Sequence, residues 1–209
     1  MHLRALSLDL DGTLARLPAW QLLRWKPLWT RGADLWAYRQ VVEEHREVRA
    51  TDLEDRLWRA VATRRGWNES DRTDSVRKLV DCQWPELYAR AHVPAPVRKL
   101  IDAWDQTGLP RVVVSDHPAL AKLHAMELAE GWAAVVGARQ LGAFKPHPDA
   151  LLAACAQLGL RPDQVVHVGD RWDTDGLAAA RAGCSFVHVD QLARSDLLAR
   201  LQNRPGPEA

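Results

Sequence analysis

Four short stretches hold the residues whose types and spacing could do chemistry: Asp9-Leu10-Asp11-Gly12-Thr13, Ser115-Asp116, Phe144-Lys145-Pro146, and the run from Gly169-Asp170 through Asp173 and Asp175 to Gly176. Asp9 and Asp11, two apart on extended chain, point to the same side. With Asp170 nearby they would repel one another, and the partner that relieves this at least cost is a hard divalent cation. Oxygen ligands with room for waters and substrate oxygens favour Mg²⁺. Such a cation, with Lys145 and the Ser115 hydroxyl, makes a cradle for a dianionic phosphate. An aspartate held against that phosphorus can attack it and form an aspartyl-phosphate. A second aspartate can protonate the leaving oxygen and later deprotonate water. Singly, each stretch has a plain structural reading, as a helix start, a cap or a solvated lysine. Adjacent carboxylates at the end of an apolar strand are harder to explain without a counter-ion.

The elements that must position these residues are legible as short apolar or β-branched runs: Leu3 to Leu8, Arg111 to Val114, Ala133 to Gly137, Val165 to Val168 and Ser185 to Val189. Helix-like segments, His117 to Ala129, Pro148 to Leu158 and Thr174 to Ala182, lie between the last four. Strands alternating with helices predict a parallel sheet covered on both faces. Ligands of such sheets bind outside the carboxyl ends of the strands, where all four stretches fall. Gly108, Gly159 and Gly183 stand where helices should stop. After the first strand the pattern turns helical, with Asp34 to Arg49, Asp52 to Arg65 and Ser70 to Gln83 each opening on a residue suited to capping. The expected architecture is an α/β, doubly wound parallel-sheet (Rossmann-like) core, residues 1–15 and 94–209, with an all-helical cap at residues 16–93. The tail from Arg204 reads as frayed.

Composition narrows the class. The 209 residues carry 28 basic and 27 acidic side chains, a net charge of +1, which argues against a nucleic-acid partner. With 47% hydrophobic and 26% charged residues, the chain reads as globular rather than disordered. The apolar start reaches Asp9 too soon for a secretory signal, and the longest uncharged apolar stretch near the middle, Ala150 to Leu160, falls short of the ~20 residues a membrane span needs. Cys82, Cys155 and Cys184 are far apart and read as small buried hydrophobes, so a reduced, cytoplasmic protein is expected. The ten tryptophans, against two Phe and two Tyr, are unevenly placed: seven fall in residues 14–95.

At its four stretches the chain resembles the haloacid dehalogenase-like hydrolase superfamily, mostly phosphatases. The signatures are an apolar strand with DxDGT (Asp9 to Thr13), an apolar strand ending in Ser or Thr (Val112 to Ser115), a lysine followed by proline (Lys145-Pro146), and GDxxxxD with a small-residue helix and an AG pair (Gly169 to Gly183). The resemblance implies that Asp9 is the nucleophile and Asp11 the general acid/base, oriented by Thr13. It implies that Ser115 and Lys145 hold the phosphoryl group. Mg²⁺ would be bound by Asp9, the Asp11 main-chain carbonyl and Asp170, with Asp175 in support. The helical cap would act as a lid over a small phosphorylated substrate, for which Arg16, Trp20 and Arg24 are candidate contacts.

Other readings differ at particular residues. Haloacid dehalogenases lack the second aspartate, here Asp11. A phosphonatase-like enzyme would use a cap lysine, for which only Lys26 and Lys78 are available; a sugar phosphomutase shares the core residues. From another class, Trp20, Trp25, Trp29 and Trp36 interleaved with Arg16, Arg24, Lys26, Arg31 and Arg39 have the composition of a membrane-surface or partner-binding segment. The favoured expectation is that these tryptophans fill the cap–core contact and that the arginines are solvated or meet an anionic substrate. Oligomeric state has no signature in the sequence.

Overall fold

β-Branched side chains are stiff at χ1 and suit a pleated surface, and the valine runs at residues 112–114 and 165–168 become strands. The computed structural model of the chain describes residues 3–68, 70–194 and 197; the tail from Arg204 lies outside them. Strands β1 (Ala5–Leu8), β2 (Arg111–Ser115), β3 (Ala134–Gly137), β4 (Val165–Gly169) and β5 (Ser185–His188) form one parallel sheet in the order β3-β2-β1-β4-β5. Leu8 lies opposite both Val113 and Val168, so β1, β2 and β4 end within two residues of one another along one edge.

Between β1 and β2 run α1 (Ala19–Arg24), α2 (Lys26–Thr30), α3 (Gly32–Glu44), α4 (Leu53–Arg65), α5 (Ser70–Lys78), the single turn α6 (Trp84–Glu86) and α7 (Ala95–Asp105). After β2 come α8 (Leu120–Ala125), α9 (Asp149–Leu158) and α10 (Leu177–Ala182). Strand alternation sends Val113 to one face and Val112 and Val114 to the other. Val97, Leu100 and Trp104 of α7 and Leu123 of α8 pack on the first face. Ala150, Leu151 and Ala154 of α9 and Ala178 and Ala179 of α10 pack on the second. The expected two-faced parallel sheet is therefore present. Among the described residues no helix is long and apolar enough to cross a membrane.

Several local expectations change. The helix after β2 is only α8, because Pro118 delays its start and Glu127, in the left-handed region at φ 58°, ends it. Conversely, the Pro94-Ala95-Pro96 punctuation opens α7, since proline fits a first helical turn where the missing N–H costs nothing. Asp34 lies inside α3, paired with Arg31 and Arg65 at 2.7 Å each, rather than capping it. Asp52 precedes α4 but gives its carboxylate to Arg56. Cys155 is buried, as expected, but Cys82 is exposed and Cys184 only half-buried.

The helices before α7 have a core of their own around Tyr38, Val41, Leu53, Leu57 and Trp58, and Phe144 from the loop bearing Lys145 is buried in it. The insert therefore packs on the loop that delivers the lysine. Tryptophans contribute less to this contact than expected. Trp25 packs edge-on against Trp84, whereas Trp20, Trp29 and Trp36 are exposed. Trp104 is fully buried and donates from Nε1 to the Pro110 carbonyl at 3.2 Å. Trp104→Ala is expected to cost about 3–5 kcal/mol of stability, read as a lower urea midpoint at unchanged slope.

Candidate active site

Each chemical residue follows a strand end. Asp9 continues β1 with its N–H bonded to the Val168 carbonyl of β4 at 2.9 Å, which ties it into the sheet. Lys145 reaches it from the loop after β3: Nζ lies 2.5 Å from Asp9 Oδ1 and 2.5 Å from Asp175 Oδ1, with all three side chains buried. Carboxylate oxygens of Asp9, Asp170 and Asp175 come within 4.8 Å of one another. One ammonium thus faces three carboxylates. Burial first, and then the charges of Asp175 and Asp11, push Asp9 well above the usual carboxylate range. Asp170 is raised by burial and by Asp175. Burial opposes the Lys145 cation, but Asp9 and Asp175 outweigh it and hold the amine charged. The all-oxygen donor set is short of positive charge and suits a hard divalent cation.

Two glycines make this convergence possible. Gly12 has φ +91°, and a Cβ there would stand 2.1 Å from Asp170 Oδ2. A Cβ on Gly169 would stand 2.4 Å from the Asp175 side chain, so only hydrogen lets that carboxylate fold back against the end of β4. Gly169→Ala is expected to displace Asp175 from Lys145 and to lower activity by about tenfold or more, as sub-ångström misplacements do. Phosphate-release kinetics together with near-UV circular dichroism of the variant would check it.

The second aspartate has different partners. Asp11 accepts from Lys122 Nζ at 2.6 and 2.8 Å and from the Tyr88 hydroxyl. Burial would raise its pKa, but Lys122 and His117 hold the carboxyl below its ordinary value. Thr13 does not orient it: its hydroxyl is buried without a hydrogen-bond partner among the described residues. Ser115 is buried at the end of β2, where its Oγ accepts a long, 3.4 Å contact from the His117 N–H. The neighbouring Asp116 accepts from the Lys145 main-chain N–H at 2.9 Å and from Arg46 at 2.8 Å. Arg46 also donates to the Lys145 carbonyl at 2.9 Å. An arginine of the insert thus grips the backbone of the lysine loop from above.

Sequence reasoning singled out none of Tyr88, Lys122 and Arg46 for this site. Lys122 sits in an ordinary helix, and nothing in the spacing of the insert marks Tyr88 or Arg46. The sequence places His117 at the start of a helix running to Ala129. Instead it precedes α8, meets the Tyr38 hydroxyl at 3.3 Å and is pushed down to about 4, chiefly by burial and the Lys122 charge.

Between insert and sheet edge lies a cavity of about 440 Å³ that opens on Asp11, His117 and Lys122. Arg16, Trp20 and Arg24 do not line it. Arg16 turns to Asp190 and the Gly12 carbonyl, and Trp20 lies under Arg90 on the surface. Lys26 and Lys78, the lysines a phosphonatase-like reading needs, are also absent from its wall.

A family model described as haloacid dehalogenase-like hydrolase matches residues 3–183. The chain belongs to this family. Within it, the chain is 33% identical over 116 residues to the phosphoglycolate phosphatase of Escherichia coli strain K12, a match over 54% of this chain and 46% of that relative. The phosphoglycolate phosphatase of Salmonella typhimurium is 32% identical over the same shares. The matched region thus spans less than half the length of these curated relatives. Among solved structures, L-2-haloacid dehalogenase from Xanthobacter autotrophicus superposes with a TM-score of 0.62 at 21% identity, over 98% of this chain and 85% of that one. An HAD phosphatase from Thermococcus onnurineus gives 0.57 at 18% identity, over 89% and 86%. At these identities the structures speak for the fold, and the first of them covers 98% of this chain.

Insert and sheet are clasped by charge in this family member. Glu43 of α3 accepts from Arg46 at 2.6 and 3.0 Å and from Arg171, after β4, at 3.3 Å. The Arg46 hydrogen bonds first, then the charges of Arg46 and Arg171, hold Glu43 down to about 2 against the cost of burial. Because the folded-state value lies below the unfolded ~4.3, this contribution is complete above about pH 4.5 and is lost as pH falls toward 2. The stability gap between the wild type and Glu43→Gln, followed by denaturant titration, should therefore be fully open at pH 6 and close progressively on acidification.

Proposed function

We propose that the chain is a Mg²⁺-dependent phosphatase that hydrolyses a small phosphorylated metabolite through an aspartyl-phosphate. The observation that carries this reading is the Asp9 carboxylate, buried at the end of β1 and held 2.5 Å from Lys145 beside Asp170 and Asp175. The curated relatives named phosphoglycolate phosphatase support the reaction class.

In this reading an Asp9 oxygen attacks phosphorus while the ester P–O bond breaks, and the leaving oxygen takes a proton from Asp11. Water then attacks the aspartyl-phosphate as Asp11 takes its proton, which releases inorganic phosphate and restores Asp9. Lys122 and Tyr88 favour the ionised form of Asp11, the state the second half needs. The first half requires the protonated carboxyl to swing from Lys122 to the leaving oxygen. Ser115 and Lys145 hold the phosphoryl oxygens, and Asp116 and Arg46 fix the Lys145 backbone. Asp9, the Asp11 carbonyl and Asp170 would hold Mg²⁺, with Asp175 setting the position of Lys145; the ion would supply charge neutralisation for the phosphoryl group. Residues 16–93 serve as a lid over a core of residues 1–15 and 94–209.

Asp9→Asn should leave the fold intact and lower turnover of p-nitrophenyl phosphate by about 10³-fold or more. EDTA should abolish wild-type turnover and Mg²⁺ should restore it. Undiminished hydrolysis by the Asn variant would remove the nucleophile assignment, and metal-independent turnover would remove the role of Asp170.

A further inference from the structure

The cavity beside Asp11 has a volume of about 440 Å³, whereas a dry pocket of ~150 Å³ already encloses benzene. A two-carbon acid would leave most of it unfilled. Its wall is largely apolar and aromatic: Leu28, Leu35, Trp36, Val42, Val80 and Trp84 all face it. All but one of the charges that line it are already committed within the protein. Lys122 is bound to Asp11, Arg46 to Asp116 and Glu43, Arg171 to Asp173 and Glu43, and Asp81 to Arg139. Among the described residues only Arg39 is a lining cation without an ion-pair partner. Apart from Arg39, a carboxylate two atoms from the phosphorus would therefore meet only charges that are already paired.

Trp36 stands apart on the same wall. It is 59% exposed although it lines the cavity, one helical turn before Arg39 on α3. An indole left open to water at the mouth of a pocket offers a stacking surface whose burial is gained only when a ring covers it. On the phosphatase reading above, we infer that the substrate is a phosphomonoester with an aromatic or heteroaromatic leaving group seated on Trp36, and that Arg39 is free to meet an acceptor on the far edge of that ring.

The test compares kcat/KM for 2-(1-naphthyl)ethyl phosphate and phosphoglycolate with Mg²⁺ present. Both leave as primary alcohols, so that the difference reports chiefly the pocket rather than leaving-group basicity. The naphthyl ester should be favoured by about tenfold or more. That ratio should collapse in Trp36→Ala, through KM more than kcat, and recover in Trp36→Phe. Equal or better use of phosphoglycolate, or a ratio unmoved in Trp36→Ala, would overturn the inference and leave the phosphatase reading standing. If neither ester nor p-nitrophenyl phosphate releases phosphate, the phosphatase reading fails and this inference falls with it.

Discussion

One buried ammonium shared by buried carboxylates is the constraint around which the molecule is arranged. Lys145 satisfies Asp9 and Asp175 together at 2.5 Å, and Asp170 crowds the same space. Taking so many charges out of water is expensive, and their mutual attraction repays it only when the geometry is tight. The sheet supplies that geometry. Three neighbouring parallel strands end close together, two glycines remove side chains where carboxylates must stand, and the loop after β3 is pinned by Asp116. The remaining negative charge makes the edge an attractive seat for a cation.

The insert completes the arrangement through arginines. Arg46 holds Asp116 and the Lys145 carbonyl, Arg49 pairs with Asp149 at 2.7 Å, and buried Arg139 of the core reaches back to Asp81 at 2.8 Å and the Tyr38 hydroxyl. Planar guanidinium groups can serve several acceptors at once, which a lysine does less well. The excess of arginine over lysine thus has a structural use at this seam. Surface pairs such as Arg56–Asp52 add little by comparison.

Much of the sheet and its edge could be read from the sequence because two strong local signals coincide there. Apolar runs define the strands, and acidic, hydroxyl or lysine residues follow their ends in an order that is hard to obtain otherwise. The seam was not legible. Arg46 lies in the turn after α3 and Tyr88 in a short 3-10 turn, both of ordinary composition, and Lys122 in a helix whose ends were misjudged. What makes them matter is proximity across 70 or more residues of chain. Helices α1 and α2 escaped notice because each is a turn or two long, with Pro27 at the start of the second. Their tryptophans suggested a packed contact, but three of the four tryptophans between residues 20 and 36 face solvent. Composition identified an unusual segment without locating its contacts.

The double grip of Arg46 bears on how such a protein can diversify. The residue belongs to the insert, yet it bonds the Lys145 carbonyl and also Asp116, which itself holds the Lys145 N–H. An insert without this arginine would bring a different cavity wall and would also withdraw a brace from the lysine loop below. Changing single wall residues such as Trp36 would reshape the cavity and leave that brace in place, which replacing the whole insert would not.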